Sequence, residues 1–178
     1  MRFTETKLRG AFTVDPVLFE DPRGFFTRTW SRAEFLKAGC NPDLVECNVS
    51  FNKAAGTLRG MHLQLPPFAQ AKLVRCTMGA IYDVIIDLRN GSETFAQYVG
   101  LELTANNRKQ LYIPEGFAHG FLTLADDTEV LYQMGNVFDA GSARGVRYND
   151  PAFNIHWPRD VKVIIDRDAN YPDFTGTL

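Results

Sequence analysis

The stretch Lys72-Leu73-Val74-Arg75-Cys76-Thr77-Met78-Gly79-Ala80-Ile81-Tyr82-Asp83-Val84-Ile85-Ile86-Asp87-Leu88 decides the fold class. Two runs rich in β-branched and aliphatic residues, 72–77 and 80–88, flank the Met78-Gly79 turn, and Asn90-Gly91 closes the second run. Both runs are too short and too β-branched for helices. Working outward, the same grammar repeats. Strands are expected over Tyr98–Leu103, Gln110–Ile113, Phe121–Leu124 and Glu129–Met134, with Ala105-Asn106-Asn107, Pro114-Glu115-Gly116 and Asp126-Asp127 as separators. Many short strands at regular spacing predict a mainly β sandwich or barrel. The clearest helix signal is Ser31-Arg32-Ala33-Glu34, which has capping-box spacing, with Gly39 as a left-handed stop.

Alternation within strands points to a polar pocket inside this β structure. Residues two apart share a face. His62 and Gln64 form one such pair, Lys72 lies with Val74 and Cys76, Asp83 with Ile81 and Ile85, and His119 with Phe117 and Phe121. Charged groups are rarely buried without a partner, so these intrusions into apolar rows are expected to meet one another. His62 is suited to act as a base near neutral pH, Lys72 to stabilise an enolate oxygen, and Tyr132 to act as an acid on another wall. A metal centre is not expected. The place where an H-x-H pair would have its second histidine is Gln64, the nearby Lys72 repels divalent cations, and His62 with His119 are too few ligands.

Composition sets the wider frame. The 178 residues suffice for one domain, residues 1–178, and no low-complexity linker or long charge block suggests a boundary. A net charge of −2 gives no reason to expect nucleic acid or an anionic membrane as partner, and no apolar run is long enough to span one. Three cysteines without a CxxC pair, and an N-terminus lacking the apolar run of a secretory signal, lead us to expect a cytoplasmic protein with reduced thiols.

The segments LRGMHLQ (58–64), QAKLVR (70–75), YDVIIDLRNGS (82–92), LYIPEGFAHGFL (111–122), EVLYQ (129–133) and RGVRYNDP (144–151) closely resemble the dTDP-4-dehydrorhamnose 3,5-epimerase family. DPRGFF (21–26) and RDANYP (167–172) extend the resemblance over nearly the whole chain. It implies a cupin-type double-stranded β-helix, a jelly-roll barrel with a few short helices. It also implies epimerisation at C3, C5 or both of a nucleotide-linked 4-keto-6-deoxyhexose, by proton abstraction and reprotonation from the opposite face, in deoxysugar biosynthesis and without a cofactor. His62 matches the family's base and Asp168 the acid paired with it. Lys72 matches the residue beside the 4-keto oxygen, Tyr132 the proton donor, and Asp83 and His119 supporting groups of the pocket. Arg59 matches a phosphate-binding arginine. Arg23 and Phe26 match a nucleotide-contact segment that the family takes from the neighbouring subunit, so a homodimer with exchanged N-terminal strands is implied. Asn48, Gln64, Phe138 and Arg167 complete the expected nucleotide and substrate contacts.

The chain departs from the family at the nucleotide end. Arg28 stands where the family usually has glutamate, Glu46 where it has glutamine, Ala143 where it has an acid, and Phe138 where it has the second aromatic of a tyrosine pair. Because arginine only donates hydrogen bonds, this pattern suggests a base other than thymine, cytosine first and guanine second, so that the partner is a dTDP-, CDP- or GDP-linked sugar. Alternatives outside this reaction are a nucleotide-sugar 3,4-ketoisomerase and a non-catalytic sugar-nucleotide-binding cupin.

Overall fold

The computed structural model describes residues 1–178. Chain order is β1 (Arg2–Glu5), β2 (Phe12–Asp15), β3 (Phe19–Asp21), β4 (Gly24–Phe26), α1 (Arg32–Lys37), β5 (Glu46–Asn52), β6 (Leu58–Gln64), β7 (Lys72–Met78), β8 (Ala80–Asp87), β9 (Tyr98–Thr104), β10 (Gln110–Ile113), β11 (Phe117–Thr123), β12 (Thr128–Met134), β13 (Ala143–Gly145) and α2 (Asp166–Ala169). One sheet runs β1-β2-β10-β7-β12-β5 and the other β13-β6-β11-β8-β9, while β3 and β4 form a separate hairpin. From β5 to β12 the chain switches sheet at every step except the β8–β9 hairpin, which is the winding of a jelly roll. The expected mainly β, cupin-type architecture is therefore present. The two sheets face each other without hydrogen-bonding into one closed barrel.

The inward rows meet as expected. Val74, Cys76, Ile81, Ile85, Phe117 and Phe121 lie in one buried cluster with Leu103, Leu111, Ile113 and Val130, drawn from both sheets. A second cluster, including Met61, Val84, Ile86 and Ala118, is covered by Phe153 and other residues of the C-terminal segment. No helix is long and apolar enough to cross a membrane. All three cysteines are free, Cys40 and Cys76 buried and Cys47 exposed.

The capping box does not form. Ser31 occupies the N-cap position without a side-chain hydrogen bond, and Gly39 has the expected positive φ of 78°. Glu34 instead accepts a 2.7 Å hydrogen bond from the Met1 ammonium and pairs with Arg28 at 3.4 Å. A six-residue helix has little stability of its own. Phe35, 1% exposed, anchors it against Phe3, Trp30 and Tyr112, and such a burial contributes about 2–3 kcal/mol.

β6 and β11 touch backbone to backbone. A Cβ on Gly60 would lie 2.4 Å from the Gly120 Cα, and one on Gly120 would lie 2.7 Å from the Arg59 carbonyl oxygen. Only glycine fits at either place, and Gly60 also has a φ of 129°. This contact sets His62 directly opposite His119 in the strand register.

Candidate active site

A cleft of about 460 Å³ opens between the sheets, within the usual size range for a small-molecule site. His62, Lys72, His119, Tyr132 and Asp168 all line it. β6 carries His62 and β11 carries His119 on one sheet, while β7 carries Lys72 and β12 carries Tyr132 on the facing sheet.

His62 Nε2 lies 2.8 Å from Asp168 Oδ1, across 106 residues of sequence. The other carboxylate oxygen, Oδ2, accepts the Gly60 N–H at 3.1 Å, and Arg167 Nε donates to Oδ1 at 3.1 Å. Burial alone would raise the Asp168 pKa, but the hydrogen bonds and charge of His62, with Gly60 and Arg167, hold it below its ordinary value. The ionised carboxylate accepts an Nε2–H and leaves Nδ1, which has no protein partner, as the basic nitrogen. Arg167 Nη2 also stands 3.2 Å from His62 Nε2. A guanidinium cannot accept, so that contact becomes a hydrogen bond only when Nε2 carries no proton.

A second histidine–carboxylate pair sits deeper. His119 Nε2 lies 2.8 Å from Asp83 Oδ1, with both residues buried. Burial lowers the His119 pKa despite the opposing pull of Asp83. Asp83 Oδ2 is buried with no hydrogen-bond partner. Lys72 donates to the His62 carbonyl oxygen at 3.1 Å. Burial pulls its pKa down to about 8, against the attraction of Asp83. Catalysis that needs the ammonium should therefore fade as pH rises through about 8. We expect kcat/KM to show an alkaline limb there and Lys72→Arg, which stays protonated, to move that limb upward at reduced activity. A limb unmoved in the variant would show that another group causes it.

Tyr132 packs edge-on to His119 and beside Phe121, both at centroid distances of 6.2 Å. Burial pushes its pKa well above the ordinary phenol value, so the hydroxyl keeps its proton. That hydroxyl is 2.9 Å from Ser50 Oγ. Ser50 is absent from the residues expected on sequence grounds. The available signal is parity, because Ser50 shares a face of β5 with Asn48, and both line the cleft.

The nucleotide set divides. Asn48, Arg59, Gln64, Phe138 and Arg167 line the cleft, as does Ala143. Arg59 Nε is held by Asn52 Oδ1 at 2.7 Å. Gln64 lines the cleft and is also engaged within the chain. Its amide nitrogen donates to the carbonyls of Phe68 (2.6 Å) and Val137 (3.0 Å), and its oxygen accepts the Asp139 N–H (2.8 Å). Both N–H groups are thus spent on the protein's own backbone. Glu46 does not line the cleft, and its Oε1 accepts the Phe138 N–H at 3.3 Å. Arg23, Phe26 and Arg28 also lie outside the chain's own cleft. Arg23 is bound to Asp21, Arg28 to Glu34, and Phe26 is 70% exposed on the β3–β4 hairpin. No three His, Cys, Asp or Glu side chains converge to form a metal-ligand group.

Residues 5–176 match the family model described as dTDP-4-dehydrorhamnose 3,5-epimerase. The chain is 40% identical over 175 residues to the dTDP-4-dehydrorhamnose 3,5-epimerase of Shigella flexneri, covering 98% of this chain and 96% of that one. The crystal structure of the Bacillus anthracis dTDP-4-dehydrorhamnose 3,5-epimerase with TDP and PPi bound is similar at a TM-score of 0.93 and 42% identity, covering 97% and 99% of the two chains. A 3'-monoepimerase from Streptomyces bikiniensis, in complex with dTDP-quinovose, is similar at 0.86 and 31%, covering 94% and 85%.

Proposed function

The chain belongs to the dTDP-4-dehydrorhamnose 3,5-epimerase family and is an isomerase, and on that premise we propose that His62, Lys72, Tyr132 and Asp168 epimerise a dTDP-linked 4-keto-6-deoxyhexose. The observation that carries this assignment of roles is the opposition of a supported base and a protonated phenol. His62 stands on one sheet and Tyr132 on the facing sheet, and Lys72 reaches from the second sheet to the His62 carbonyl oxygen. A 4-keto group acidifies the hydrogens at C3 and C5. His62, oriented by Asp168, removes one of them, the Lys72 ammonium balances the enolate oxygen, and Tyr132 delivers a proton to the other face. The proton taken and the proton given balance, so no net oxidation occurs.

Thymidine replaces the cytidine or guanosine expected from Arg28, Glu46 and Ala143. Arg28 has an ion-pair partner in Glu34, and Glu46 is engaged by the Phe138 backbone, so neither change has to be read as a response to a different base. Relatives solved with TDP or dTDP-quinovose support the same choice. The site is completed in a homodimer. Phe19 (61% exposed) and Phe26 (70%) project from the β3–β4 hairpin, and Val49 (59%) and Phe51 (45%) lie bare on β5. Exposed apolar groups of this size suit a partner surface, and a second copy would bring Arg23 and Phe26 to a cleft they do not reach in their own chain. Sedimentation should give twice the chain mass.

The test is incubation with dTDP-, CDP- and GDP-linked 4-keto-6-deoxyhexoses in deuterated water, with and without a chelator, followed by NMR. Deuterium should enter C3, C5 or both of the dTDP sugar first, with inversion and without response to chelation. A carbonyl moved to C3 would indicate a ketoisomerase, and no exchange in any sugar would leave only a binding protein. Faster exchange in the CDP sugar would restore the altered-base expectation.

A further inference from the structure

The loop after β12 is tied down to an unusual degree around one bare ring. Four consecutive residues, 136–139, each have a backbone group taken by a side chain from elsewhere. Gln70 Nε2 donates to the Asn136 carbonyl at 2.7 Å, and Gln64 Nε2 to the Val137 carbonyl at 3.0 Å. The Phe138 N–H goes to Glu46 Oε1 at 3.3 Å, and the Asp139 N–H to Gln64 Oε1 at 2.8 Å. Gln64 thus grips the chain on both sides of Phe138. Gln64 and Gln70 are 5% and 7% exposed. A buried primary amide is costly unless its hydrogen bonds are made, and here the loop backbone makes them. Asn136 reinforces the arrangement, donating to the carbonyls of Pro67 and Ala69 and accepting the Val137 N–H.

Phe138 itself gains nothing from this in its own chain. Its ring is 65% exposed, at the edge of the cleft. A fixed backbone under a bare aromatic ring does not serve core packing. It is the arrangement of a preorganised platform, in which the ordering cost is met before a ligand arrives.

We infer that Gln64 and Gln70 are positioning residues for Phe138, holding its ring at the cleft rim as the stacking face for the nucleotide base. The inference rests on the proposed reading that a dTDP-linked sugar occupies this cleft, with Phe138 among the nucleotide contacts that the family resemblance implies. Because Gln64 lies two residues from His62 on β6, one strand sets both the base that moves the proton and the platform that seats the nucleotide. Loss of the clamp should weaken seating and leave proton transfer alone.

A double-mutant cycle tests this, with dTDP binding followed by calorimetry and turnover by NMR. Phe138→Ala alone is expected to weaken dTDP binding roughly five- to hundredfold, the range for loss of one base stack. Gln64→Met keeps the volume and removes the hydrogen bonds. It should raise the dTDP Kd and the substrate KM roughly three- to tenfold while kcat stays within about threefold. In the Phe138→Ala background the effect of Gln64→Met should vanish. Gln70→Met is expected to behave in the same way and serves if the Gln64 variant folds poorly. Equal losses from Gln64→Met with and without the Phe138 ring would overturn the positioning role while leaving the stack intact. An unchanged dTDP affinity in Phe138→Ala would overturn the stacking reading itself, and the inference with it.

Discussion

Alanine at position 62 is expected to lower kcat by ~10²–10⁴-fold, the usual contribution of a general base, while dTDP affinity stays within about twofold. The truncation is local. Lys72 is held by the His62 backbone carbonyl, which the variant keeps. Asp168 retains its hydrogen bonds from Gly60 and Arg167. The imidazole is about a third exposed, so its removal enlarges an existing cleft and leaves no sealed cavity. Initial rates with calorimetry of dTDP on the same preparation make the measurement. Turnover near that of the wild type would remove His62 from the mechanism.

Tyr132→Phe is expected to separate two events that the wild type couples. The ring contacts with His119 and Phe121 survive, and the loss is the hydroxyl and its 2.9 Å partner, Ser50. Removing one such hydrogen bond costs about 1 kcal/mol of stability, so the variant should fold. With His62 intact, exchange of substrate hydrogen into solvent should continue. Net inversion, which needs the acid on the facing sheet, should drop by ~10²-fold or more. Proton exchange and inversion are read in one NMR time course in deuterated water. A parallel fall of both would mean that Tyr132 is not the stereospecific donor.

The sequence displays some of this architecture and hides the rest for identifiable reasons. Gln110–Ile113 begins and ends where its turn residues place it, and Lys72, Asp83 and His119 point inward because strand parity leaves no other choice. β11 begins at Phe117, four residues before the expected start at Phe121. Gly116 and Gly120 break the local strand signal, whereas Gly120 is required by the touching backbones. Glu34 matches a capping box in spacing but is drawn to the Met1 ammonium, a contact set by tertiary packing. Gln64 shares a face with His62 and lines the cleft, but its hydrogen bonds to a loop more than 70 residues away have no local signature. The partner of His62 has no local signature at all. Asp168 is reached only through family resemblance, since no spacing rule connects residues 106 apart.

That separation also has a meaning for the order in which the molecule is made. All thirteen strands lie before residue 146, whereas the carboxylate that orients His62 belongs to α2, at residue 168. During synthesis the strands leave the ribosome before α2 does, and until Asp168 has emerged the Gly60 amide and the imidazole lack their shared acceptor. Packing of α2 against β6 therefore comes late in the order of emergence, and it is this late contact that completes the His62–Asp168 pair.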